Sequence, residues 1–178
     1  MLAVLMAASV VSLLDRQLLS LLFIPISADL GLSDFGVSLL QGFAFAALYA
    51  FAGLPMGWWA DRHNRRNLII FGVTMWSVMT ALCGLADSFL TLFLARVGVG
   101  LGEACLHPAA YSMICDLFPP ERRGRAYALF GAAATLGIAI SLFAGAAVIG
   151  VLAGVGDIVL PFGTLALWKA AFLVASVP

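Results

Sequence analysis

Five long, predominantly apolar stretches constrain this chain more than any other feature. A membrane-spanning helix needs about 20 apolar residues. Stretches of that length lie at about 2–26, 35–59, 67–86, 89–114 and 124–153, with a shorter sixth at about 165–178. Composition agrees, since 63% of the 178 residues are hydrophobic and 10% are charged. A soluble domain would carry about 25% charged residues. The expected fold is an all-α polytopic membrane protein with five full helices and part of a sixth.

The same composition excludes several functions. Nine basic and nine acidic residues leave no basic face to neutralise phosphates, so nucleic acid is not an expected partner. Cys83, Cys105 and Cys115 fall in or at the ends of apolar runs, without metal-ligand or CxxC spacing, and read as small membrane-buried side chains. No metal or cofactor is expected. Residues 1–14 lack a basic start, which argues against a signal peptide. The chain has no Gly-x-Ser-x-Gly elbow, His-Glu-x-x-His helix or phosphate-binding loop, so an enzyme is not expected.

The connections alternate in charge. The loop after the second stretch carries Asp61, Arg62, Arg65 and Arg66, and the loop after the fourth carries Arg122, Arg123 and Arg125. The other loops carry Asp29, Asp34, Asp87 and Asp157, with no Lys or Arg before Lys169. By the positive-inside rule the arginine side is cytoplasmic, and the N-terminus with it. Ser33-Asp34 and Pro119-Pro120-Glu121 read as helix starts, and 157–163 reads as an external turn. Gly98, Gly100, Gly102, Gly131, Gly137 and Gly145 read mainly as close-packing positions between helices. His63, in the charged clasp of residues 57–66 between the second and third stretches, is expected to be solvated.

Four ionisable residues lie inside the apolar stretches: Asp15 and Arg16 in the first, Arg96 and Glu103 in the fourth. Each charge costs about 2.5–3.5 kcal/mol near a helix centre, so they must face one another or a wet cavity. Arg96 and Glu103 are seven residues apart, hence on one helix face and roughly 10 Å apart along it. His107 comes four residues later on the same face. Counting in from the external ends places Asp15 and Glu103 at similar depth, near the midplane. A structural ion-pair network is one reading; a substrate and proton site is the other. His107 precedes Pro108, and either relays protons or satisfies a freed carbonyl.

These residues carry a resemblance. Gly57, Asp61, Arg62, Arg65 and Arg66 match the cytoplasmic signature of major facilitator superfamily transporters, with Asn64 where the family has its second glycine. Asn is the next residue after Gly to accept a left-handed backbone. Arg96, Gly100 and Gly102 match the fourth-helix pattern, while the glycine-proline motif common in the fifth helix of drug–proton antiporters is missing. Asp15-Arg16, Gly102-Glu103-Ala104 and Asp116-Leu117-Phe118 resemble the spinster-like branch and its bacterial relatives.

The resemblance implies twelve helices in two halves, each of inverted three-helix repeats, with this chain as the N-terminal half. The C-terminal half is then absent, the sixth helix is incomplete, and Met1 lies inside the first helix rather than at a natural start. It also implies a bacterial inner-membrane location, and a latch in which Arg65 pairs with Asp116 and Asp61 meets the second half. The expected function is proton-coupled transport of a small or amphiphilic, lipid-like organic anion by alternating access. In that expectation ionised Glu103 holds Arg96, and proton uptake at Glu103, with Asp15, frees Arg96 for the substrate. Arg16 is a second cationic contact or the partner of Asp15. The alternatives are a proton-independent facilitator or exchanger, and a half-size membrane protein with a structural or assembly role. For the clasp the alternative is a charge run that only sets topology.

Overall fold

A computed structural model of the chain describes residues 1–155, 158–160 and 163–177. Asp157 and Pro178 lie outside them, as does part of the external turn expected at 157–163. The first apolar stretch forms two helices, α1 (Leu2–Leu21) and α2 (Phe23–Leu30), joined at Leu22 with φ −95° and ψ 9°. Pro25 explains the break. It offers no N–H to the carbonyl of Leu21, and its ring crowds that carbonyl. Gly31, at φ 61°, closes α2 in the left-handed conformation that a glycine cap supplies.

The second stretch runs through α3 (Asp34–Ser38), a π-helical turn (Leu39–Phe43) and α4 (Ala44–Arg62). Ser33 Oγ caps it by accepting from the Gly36 amide at 3.3 Å. Asp61 and Arg62 therefore belong to the helix end rather than to a loop. α5 (Arg65–Gly84) begins after two intervening residues, capped by Asn64, whose Oδ1 accepts from the Arg66 amide at 3.0 Å. Asn64 sits at φ −69°, so its role is that of an N-cap and not of a left-handed turn.

The fourth stretch is also broken, into α6 (Phe89–Glu103) and α7 (Leu106–Leu117). Pro108 lies four residues after Ala104 and disrupts the ladder there, as Pro25 does in the first stretch. α8 (Pro120–Val155) is a single 36-residue helix. Then β1 (Ile158–Leu160) pairs antiparallel with β2 (Gly163–Leu165), a short hairpin in an otherwise helical fold. α9 (Leu167–Ala175) ends the described chain. Among the described residues, four helical rods are long and apolar enough to cross a membrane.

α1 packs along α8, α5 along α6, α4 against α6 and α7, and α9 against α5 and α8. The α6–α7 rod is the most enclosed of the spanning rods and α8 the least. Leu136, Ile140 and Phe143 of α8 are exposed, as a lipid-facing surface requires. α5 and α6 approach so closely that a Cβ on Gly72 would lie 2.7 Å from the Gly102 carbonyl, and one on Gly102 would lie 2.7 Å from the Trp76 amide. Gly98, Gly100, Gly137 and Gly145 also meet a neighbouring helix, whereas Gly131 has nothing within 4 Å.

Two ties at its N-terminal end draw α9 in. Trp168 Nε1 donates to Asp29 Oδ2 at 2.8 Å, and Lys169 pairs with Asp87. Gly72→Val or Gly102→Val should destabilise the bundle by about 1–3 kcal/mol through overpacking, seen as a lower unfolding temperature in detergent. Gly131→Ala should leave that temperature unchanged or raise it.

Candidate functional site

Residues 15 and 16 of α1 sit about 100° apart around the helix, so their side chains diverge. Asp15, 1% exposed, turns to α5 and accepts from Thr80 Oγ1 at 3.0 Å. Arg16 turns to α4 and α6. Its Nε donates to Glu103 Oε2 at 2.7 Å, and its Nη2 lies 2.7 Å from the same oxygen. Ser12 Oγ, one turn earlier, donates to that oxygen at 2.7 Å. Glu103 has no exposed surface, while the Arg16 side chain keeps 29%.

This pairing corrects two expectations. Arg16 partners Glu103 rather than Asp15, and Arg96 is not bonded to Glu103. Two helical turns separate Arg96 from Glu103 along α6, and Arg96 instead reaches α1, where Nη1 donates to the Asp15 carbonyl at 3.5 Å. Arg96 is 2% exposed. Among the described residues, Asp15 Oδ1, Arg96 Nε and Glu103 Oε1 have no hydrogen-bond partner. The layer is thus closely interlocked but not fully satisfied, which the low dielectric makes costly.

His107 stands beyond the Ala104–Cys105 break, in α7. Its Nδ1 is hydrogen bonded to Tyr49 Oη at 3.0 Å, so its partner is a side chain of α4 and not the carbonyl freed by Pro108. Tyr49 stacks on Phe45 with centroids 5.4 Å apart, and the Arg16 guanidinium carbon lies 4.3 Å from the Phe45 centroid and 5.0 Å from that of Tyr49. The π-helical turn just before α4 helps set this register, because one inserted residue rotates the downstream helix by about 100°. Ser12, Phe45, Tyr49 and Thr80 are therefore site residues that the sequence did not single out. Their one signal was a hydroxyl or ring within an apolar run, which is common in membrane helices.

At the clasp between α4 and α5, Arg65 pairs with Asp116 of α7, and its Nε donates to the Ala60 carbonyl at 3.1 Å. Arg65 and Asp116, with His63, Asn64, Arg66, Met113 and Leu117, line an open cavity of about 410 Å³. Arg62 packs over Trp58 with its guanidinium carbon 4.3 Å from the ring centroid. Asp61 is exposed and, among the described residues, makes no ion pair. Arg123 Nε donates to the Phe118 carbonyl at 3.0 Å. Cys83 and Cys105 are buried, while Cys115 is only half-buried and lies 2.8 Å from Tyr127 Oη. Among the described residues no three His, Cys, Asp or Glu side chains converge as a metal site.

Spanning helices with lipid-facing outer surfaces, enclosing a charged layer, define a multi-pass integral membrane protein with a polar site in its core. The chain belongs to the Major Facilitator Superfamily, whose sequence profile matches residues 5–178. It is 37% identical over 134 residues to the probable L-galactonate transporter of Escherichia coli (strain K12), a match covering 75% of this chain and 29% of that protein. An MFS-type efflux pump of Mycolicibacterium smegmatis is 38% identical over 131 residues, covering 74% of this chain and 30% of the pump. Efflux proteins therefore stand among the relatives despite the missing glycine-proline motif.

The crystal structure of a bacterial homologue of the human lysosomal transporter spinster, inward-facing and occupied, superposes with a TM-score of 0.89 at 34% identity. That superposition covers 99% of this chain and 41% of the homologue. The chain thus spans well under half the length of these relatives.

Removing one member of the buried pair leaves the other uncompensated. Arg16→Met alone should destabilise the full-length protein by on the order of 3 kcal/mol, while Arg16→Met with Glu103→Leu should recover most of that loss. Thermal unfolding of the purified variants checks both.

Proposed function

We propose that this chain forms the N-terminal half of a proton-coupled secondary transporter that moves a small or amphiphilic organic anion by alternating access. The observation that carries the reading is the fully buried Glu103 carboxylate held by Arg16 and Ser12 between α1 and α6. Burial strips the ionised form of its hydration, so protonation of Glu103 is a physical route to releasing its cation. Arg16, partly exposed, is the cation released. That replaces Arg96 in the expected scheme, and Arg96 then serves to fix α1 against α6 through the Asp15 carbonyl.

Released from its counter-ion, the Arg16 guanidinium offers a planar donor fork suited to a carboxylate or phosphate. Asp15 is the second acid within the layer, and His107 braces α4 against α7 through Tyr49. The L-galactonate relative favours an anionic cargo; the efflux relative keeps other cargoes open to the assay. The clasp at Asp61, Arg65 and Asp116 acts at the cytoplasmic end as a latch, with Asp61 left to engage the other half.

Proton flux driven by an anionic substrate in proteoliposomes tests the coupling. Glu103→Gln in the full-length protein should abolish substrate-coupled proton movement, and coupled flux at the unmutated level would remove Glu103 from the mechanism. At the clasp, Asp61→Asn should slow transport several-fold with membrane abundance unchanged. Lost abundance instead would mean that this charge only sets topology.

A further inference from the structure

Arg16 is held on two sides by different forces. Glu103 binds it by charge, and the stacked rings of Phe45 and Tyr49 lie under its guanidinium at 4.3 and 5.0 Å. A cation within about 6 Å of a ring centroid is attracted by the ring quadrupole, most strongly where water is excluded. That attraction does not depend on the ionisation of Glu103. Phe45 is 9% exposed, so its ring has little room to move, and Tyr49 is tied by its hydroxyl to His107 at 3.0 Å.

We infer that Phe45 and Tyr49 form an aromatic seat that positions the Arg16 guanidinium when Glu103 is neutral, with His107 fixing the seat through the Tyr49 hydroxyl. The inference rests on the proposed protonation of Glu103 and names the residues that make its release useful. A freed arginine on an unsupported stem could swing toward Asp15, the neighbouring acid of the layer, and the cation would then be neutralised again. The seat opposes that swing. It keeps the guanidinium beside α4, with its donor edge free for an anion. Phe45 and Tyr49 are thus positioning residues acting through Arg16. The register that presents both, four residues apart on α4, is set by the π-helical turn at Leu39–Phe43.

The test uses the full-length protein and needs no substrate. A structure of Glu103→Gln should find the Arg16 guanidinium still within about 6 Å of both ring centroids. Phenylglyoxal, an arginine-selective reagent, should modify Arg16 in Glu103→Gln at a rate within about two-fold of the unmutated protein. Adding Phe45→Leu and Tyr49→Leu should raise that rate about five-fold, the scale of a lost cation–π contact. Returning an aromatic ring through Tyr49→Phe in place of Tyr49→Leu should recover much of the difference. An Arg16 that leaves the rings in Glu103→Gln alone, or a triple variant that reacts no faster than Glu103→Gln, would overturn the seat. Neither readout depends on flux. Unchanged proton coupling in Glu103→Gln with Arg16 still seated would defeat the coupling proposal while leaving the seat standing.

Discussion

The buried polar layer of this bundle answers to one constraint, a carboxylate with no exposed surface in a medium that solvates charge poorly. Glu103 tolerates that position because two hydrogen bonds from α1, from Arg16 Nε and Ser12 Oγ, converge on one of its oxygens, with Arg16 Nη2 in ion-pair contact with the same oxygen. The contacts lock α1 to α6, and Arg96 adds a second tie between the same helices through the Asp15 carbonyl. Among the described residues, the other carboxylate oxygen has no hydrogen-bond partner. A group so placed is held firmly in one charge state and loosely in the other, which is the property a coupling residue needs.

The scaffold serves that layer. Gly72 and Gly102 bring α5 within backbone contact of α6, so Thr80 and the α6 acid and arginine belong to one rigid unit. Pro108 breaks the α6–α7 rod just past Glu103, and Pro25 breaks the first rod nearer its Asp29 end. Interrupted helices close to a buried charge are where backbone groups become available to ligands in membrane transporters. The two ends of the bundle are pinned by ion pairs at the surface, Arg65 with Asp116 on one side and Lys169 with Asp87 on the other. Exposed pairs of this kind are worth little stability, about 0–1 kcal/mol. They can therefore form and break during a conformational cycle.

Much of this was legible in the sequence. Apolar length located the spanning segments, and the four intramembrane charges marked the residues that the structure gathers into one buried layer, because unpaired charge is costly in lipid. The clasp stood out as a charge run between apolar stretches, and its pairing with Asp116 was implied by the family resemblance. The pairing within the site was not. Heptad spacing placed Arg96 and Glu103 on one face, but side chains of that length bond across helices as readily as along them, and only the packing of α1 on α6 decides which arginine reaches the acid. The seat was hidden for a similar reason: Phe45 and Tyr49 look like ordinary apolar-run residues until the π-helical turn sets their direction. Asn64 shows the converse, a substitution read as a left-handed turn that proved to be a helix cap.

The central claim is that Glu103 changes protonation state within an otherwise intact bundle. Infrared difference spectroscopy of the purified full-length protein across a pH titration reads this directly, through the carbonyl stretch of a protonated carboxyl group. The account predicts a pH-dependent band that disappears in Glu103→Gln while helical content is unchanged. A band absent at every pH, or one unaltered by Glu103→Gln, would contradict it.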